Sequence, residues 1–214
     1  MTEAFRNLAR PDVRNPFILI TINMFIVTFA GDLAIIYYSV DIFQNAGVSI
    51  NKYVASIIVA AIRVAGGILG IFLIQKLPRV RLAMVTITLM SASMAVLGGV
   101  LYIKTNSAYS LVLDVVPVIS LIVYMFSFGA GVGPLQWVFL GELLPREYKV
   151  LAGVIIVLKD VPIFIVTKTF PTLLVTLTPP GTYWLFASIC LVSNIFYFFF
   201  MPETSTRNGY ERID

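Results

Sequence analysis

Six apolar stretches, each long enough to cross a bilayer, follow one another along this chain with only short polar breaks between them. They run over about 17–43, 53–74, 82–103, 111–140, 150–177 and 183–201. About 20 residues of helix span the hydrocarbon core. Hydrocarbon offers the backbone no outside hydrogen-bond partner, so only helices or the strands of a closed barrel can cross it. None of the six runs alternates with the period of two that a barrel strand requires. The expected fold is therefore an all-α membrane protein, a six-transmembrane-helix bundle over 16–201, flanked by an N-terminal segment (1–15) and a C-terminal tail (202–214). Charged residues make up 12% of the chain, against roughly 25% in soluble domains, which agrees with a bilayer as the main surroundings.

Basic residues set the orientation. If the N-terminus is cytoplasmic, that side receives Arg6, Arg10, Arg14, Lys76, Arg79, Arg81, Arg146, Lys149, Arg207 and Arg212, and the far side receives only Lys52 and Lys104. Positive charge collects inside, so both termini are expected in the cytoplasm. Residues 1–15 show no apolar core followed by a small-residue cleavage site, and so do not read as a secretory signal.

Composition also removes whole classes of chemistry. The chain has no histidine, which excludes His-based catalysis and His-ligated metals. Cys190 is the single cysteine and lies in an apolar run, so an intrachain disulfide is impossible and packing is its expected role. No phosphate-cradling loop, dinucleotide fingerprint or nucleophile elbow is present. The basic residues are scattered over short loops rather than gathered into a nucleic-acid patch. No enzyme activity, metal, cofactor or nucleic-acid partner is expected.

Two features inside the spans point to function. In the fourth, the sequence Gly129-Ala-Gly-Val-Gly-Pro134 precedes Trp137. A helix broken at membrane depth marks a binding or gating site, or else a kink packed closely through its glycines; both readings stand. The second feature is intramembrane charge at Asp32, Arg63, Lys159, Asp160 and Lys168, with Asp41 nearer an outer end. A central charge costs about 2.5–3.5 kcal/mol on insertion scales, so such groups face a cavity or one another. At the helical rise of 1.5 Å per residue, Asp32 and Arg63 fall at similar depths on adjacent spans and are expected to pair. Lys159 and Asp160 point about 100° apart on one helix and so serve different partners. Such charges either line a functional cavity or merely pin helices together. Gly66 and Gly70 make a small-xxx-small pair that implies close helix packing.

The landmarks occur in a recognisable order. They are Gly31, Ile36-Tyr-Tyr38, Ile42-Phe43 and Ala46-Gly47 in the first span, then Gly133-Pro134, Trp137, Glu142 and Leu144-Pro145 in the fourth. Val166-Thr-Lys-Thr-Phe170, Tyr183-Trp-Leu-Phe186 and the exit Pro202-Glu-Thr204 complete the set. This pattern resembles the C-terminal half, the last six helices, of a sugar porter of the major facilitator superfamily, and is similar in particular to insect facilitated trehalose transporters.

The resemblance implies one of two six-helix bundles, with a trehalose- or hexose-type solute held between them near mid-membrane and moved by facilitated diffusion. It implies substrate contacts from Gly31, Tyr37, Tyr38, Gly133, Pro134 and Trp137. It also implies a cytoplasmic set of gating charges, Arg79, Glu142 and Lys149, in which Lys149 replaces the family's Arg, Gln75 its Asp and Pro78 its Gly. At the sugar site the family's polar residues are altered to Val27, Thr28, Leu33, Arg63, Lys159 and Asp160, and a proline is altered to Gln136. Each lost neutral hydrogen bond is worth about 1 kcal/mol, and a charged or zwitterionic solute would suit Asp32, Arg63 and Lys159 better. The partners implied are the solute, the lipid of a plasma membrane and a second six-helix bundle, either a missing N-terminal half or a second copy. The alternative is a truncated or non-transporting relative acting as a membrane interaction subunit.

Overall fold

The computed structural model describes residues 11–46, 51–106, 111–144 and 149–204. All regular structure among them is helical, and six helical stretches are long and apolar enough to cross a membrane. The first span comprises α1 (Pro11–Phe29), α2 (Asp32–Tyr37) and a short continuation, α3 (Ser39–Ala46). The second is α4 (Lys52–Lys76) and the third α5 (Arg79–Asn106). The fourth is divided into α6 (Leu111–Ala130) and α7 (Val132–Leu143). The last two are α8 (Lys149–Thr176) and α9 (Thr178–Phe200). Helix α1 starts at Pro11, ahead of the expected edge of the bundle; proline is tolerated in a first turn because the amide it lacks would be unpaired there.

The run over 17–43 is thus not one helix. Gly31 holds φ +88°, a left-handed conformation that side chains rarely adopt. A second interruption at Tyr38 ends α2. The carbonyl of Ala30, next to the break, accepts a hydrogen bond from the buried Tyr124 hydroxyl at 2.7 Å. That is how a broken helix is tolerated inside a membrane: a neighbouring helix satisfies the freed backbone group. The fourth span breaks at Gly131, within the glycine cluster, at φ −133° and ψ −94°.

Helix α5 packs along α9 and α6, and α6 packs along α4, while α1 lies against α8 and α9. Seven large aromatic side chains, Phe43, Tyr124, Phe139, Phe170, Tyr183, Phe186 and Tyr197, are fully buried in the core. Cys190 is buried among them. The approach of α4 to α6 is made through glycine. A Cβ on Gly66 would fall 2.6 Å from the Phe126 carbonyl oxygen, and one on Gly129 would fall 2.4 Å from that of Arg63. Helices α4 and α8 are the least buried spans and present wide apolar faces, including Ile57, Val64, Val157 and Phe164.

Candidate functional site

Where the breaks in the first and fourth spans come together, a cavity of about 410 Å³ opens between four spans. The first span lines it with Val27, Thr28, Asp32 and Leu33, and α4 contributes Arg63, Val64 and Gly67. Helices α6 and α7 supply Phe128, Gly129, Gly133, Pro134, Gln136 and Trp137, and α8 supplies Lys159. Each element is there for a local reason. The turn at Gly31 starts a new helix at Asp32, where the positive end of the peptide dipoles favours a carboxylate. The glycine seam lets α4 come close enough for Arg63 to reach it.

The Arg63 guanidinium donates through Nη2 to Asp32 Oδ2 at 3.2 Å, and its carbon lies 4.8 Å from the centre of the Phe128 ring. The ammonium of Lys159 sits 4.5 Å from the centre of the Trp137 ring, a cation–π contact. No carboxylate lies within ion-pair distance of it among the described residues. Gln136 is buried, and its Oε1 has no hydrogen-bond partner. The Thr28 hydroxyl donates back to the Met24 carbonyl at 2.7 Å, leaving its oxygen able only to accept.

Not every expected residue reaches this wall. Gly133, Pro134, Trp137, Val27, Thr28, Leu33, Arg63 and Lys159 line it. Gly31 instead faces α9, where a Cβ would fall 2.9 Å from the Phe186 ring. Tyr37 is 65% exposed and is not among the lining residues. Tyr38 stacks on Phe170 with ring centres 5.1 Å apart, so its ring serves packing. Asp160 is exposed and off the wall, as the rotation of one residue along a helix requires. Phe128, Val64 and Gly67 line the cavity without having been marked by sequence. Gly67 lies one turn beyond Arg63 on the same face, a spacing that could have indicated it.

The other end of the bundle carries a charge network. Arg79 Nη1 bonds to Glu142 Oε2, an ion pair between the start of α5 and the end of α7. The same nitrogen donates to the Thr204 hydroxyl at 2.9 Å. Glu203 accepts the backbone N–H groups of Arg79 at 2.8 Å and Val80 at 3.0 Å, so a carboxylate from the chain's exit caps the first turn of α5. Lys149 heads α8, and its side chain lies outside the described residues. At the opposite end, Lys104 donates to the Ala46 carbonyl and Lys52 to Gln44.

The comparisons with known proteins agree with one another. A family model described as Sugar (and other) transporter matches residues 2–212. The Facilitated trehalose transporter Tret1-2 homolog of Drosophila sechellia is 35% identical over 182 residues, covering 85% of this chain and 37% of that protein. The Facilitated trehalose transporter Tret1 of Culex quinquefasciatus is 31% identical over 186 residues, 86% of this chain and 36% of its own length. The chain thus spans little more than a third of these curated relatives. Among solved structures, the proton:xylose symporter XylE of the major facilitator superfamily, bound to 6-bromo-6-deoxy-D-glucose, superposes with a TM-score of 0.73 at 25% identity. That match covers 88% of this chain and 40% of the symporter chain.

Proposed function

Because the chain belongs to the sugar (and other) transporter family, a family of transporters rather than enzymes, we propose that it forms one six-helix half of a sugar porter. In this reading it is the last six helices, and it moves a hexose- or trehalose-type sugar across the plasma membrane by facilitated diffusion. The carrying observation is the cavity walled by the broken first and fourth spans together with α4 and α8. Discontinuous helices whose ends meet near mid-membrane are where transporters of this kind hold their substrates. Gly133, Pro134 and Trp137 are the substrate contacts this geometry favours. The chain is an integral membrane protein; in this reading its bundle over 16–201 lies between cytoplasmic segments 1–15 and 202–214, which puts the Arg79–Glu142–Glu203 network on the cytoplasmic side.

Alternating access needs one bundle to rock against another. The exposed apolar faces of α4 and α8 are the natural seat for that second bundle, an N-terminal half or a second copy. The test is uptake of labelled glucose and trehalose into proteoliposomes holding the full chain, with its oligomeric size measured in the same detergent. Saturable uptake supports the assignment. A well-folded chain that neither takes up nor binds either sugar would overturn it in favour of a non-transporting membrane interaction subunit.

A further inference from the structure

Resting on the sugar-porter reading, we propose that this cavity selects a carboxylate-bearing sugar over a neutral one, with Lys159 and Arg63 as its anion-binding groups. Three charged side chains line the wall, Asp32, Arg63 and Lys159, and they leave one positive charge in excess. Arg63 and Asp32 neutralise each other. Lys159 lies over the Trp137 ring and feels Asp32 and Asp160 only beyond ion-pair distance, so its three N–H donors find no acceptor among the described residues. Asp160, the next residue, is turned away from the wall and exposed. A cation on a wall of low dielectric attracts an anion far more strongly than it would in water.

The same contacts disfavour a neutral sugar. A pyranose ring is held by stacking its C–H face on an aromatic ring, and the Lys159 ammonium, 4.5 Å from the centre of the Trp137 ring, competes for one of that ring's two faces. They also disfavour a zwitterion. An amino group would need Asp32, whose side chain is only 7% exposed and already taken by Arg63. Hydroxyl groups on the solute do have a counterpart. Gln136 is a neutral polar residue of this wall, able to bond a hydroxyl once its amide turns toward the cavity. The chemistry that satisfies the wall is one carboxylate, which pairs with Lys159 and the remaining guanidinium N–H groups of Arg63.

The experiment is calorimetric titration of the full chain in lipid nanodiscs at pH 7 with D-glucuronate, D-glucose and glutarate. The first two share a ring and differ at C6, and the third carries carboxylates without a sugar. Glucuronate is expected to bind at least tenfold more tightly than glucose, about 1.4 kcal/mol. Lys159→Met, or Lys159→Gln should the first fold poorly, is expected to collapse that ratio toward one, and Asp32→Asn to raise it. Glucose binding as tightly as glucuronate would overturn the proposal and leave the sugar-porter reading standing. Glutarate matching glucuronate with no glucose binding would overturn both. A ratio unchanged in both Lys159 variants would remove Lys159 from the site, and no heat with any of the three solutes would sink the proposal outright.

Discussion

Alanine at Gly129 provides a quantitative test of the glycine seam. Its Cβ would sit 2.4 Å from the Arg63 carbonyl oxygen and 3.0 Å from the Gly67 nitrogen. Carbon–oxygen contacts settle at about 3.3 Å or more, so α4 and α6 must part by roughly 0.9 Å. Both obstructing atoms are backbone, and no side-chain rotation relieves them. Overpacking of this kind costs about 1–3 kcal/mol. Alanine also gains up to about 1 kcal/mol over glycine in a helix, which would blur the result measured alone. Gly153→Ala and Gly99→Ala isolate the seam, because a Cβ at either site meets nothing within 4 Å. The helix gain is common to all three variants and cancels in the comparison. For a chain of this size each kcal/mol moves the melting temperature by about 2–4 °C. Gly129→Ala should therefore melt roughly 2–12 °C below the two control variants in the same detergent. Equal shifts in all three would refute the close approach of α4 to α6.

Three further outcomes are expected. Tyr124→Phe strands the Ala30 carbonyl and should cost about 1–3 kcal/mol, the penalty for a buried group left unpaired, read as a lower melting temperature. Glu203→Gln keeps an acceptor but removes the charge from the first turn of α5; the amides of Arg79 and Val80 should exchange hydrogen faster, and unchanged exchange would argue against the cap. Reversing Asp32 to Arg or Arg63 to Asp alone should lower the folded yield, and making both changes together should restore it. Equal yields in all three would dissolve the pair as a structural element.

The spans were legible because bilayer thickness imposes a length on every apolar run, and that constraint is local to the sequence. The breaks were legible at Gly129-Ala-Gly-Val-Gly-Pro134, where backbone chemistry is local too. The resemblance implied Gly31 and Tyr37 as substrate contacts, but neither lines this wall: Gly31 forms the left-handed turn itself, and Tyr37 is the last residue before the second interruption. Tyr37, just ahead of that interruption, is exposed. Tyr124 to Ala30 and Glu203 to Arg79 join residues 94 and 124 apart in sequence; neither residue type announces its partner, so only the fold reveals them. Gln136 reads in sequence as a lost proline. Its importance lies in an unpaired oxygen, which no sequence displays.

The charges of the cavity are positioned by backbone, not by loops. The residue whose carbonyl faces Gly129 is Arg63, the same residue whose side chain reaches Asp32. Asp32 in turn begins its helix where Gly31 breaks the first span, and the Tyr124 hydroxyl from α6 secures the carbonyl beside that break. The first, second and fourth spans are therefore tied at one level by a glycine contact, an ion pair and a hydrogen bond. A site supported on helices in this way holds its geometry more firmly than one built on loops. In the transport reading, these three spans would then move as a rigid body with Asp32 and Arg63 fixed relative to one another. Opening and closing would have to come from the uncovered faces of α4 and α8 and from the Arg79–Glu142 contact where α5 begins, while the cavity itself changes only in which side of the membrane it meets.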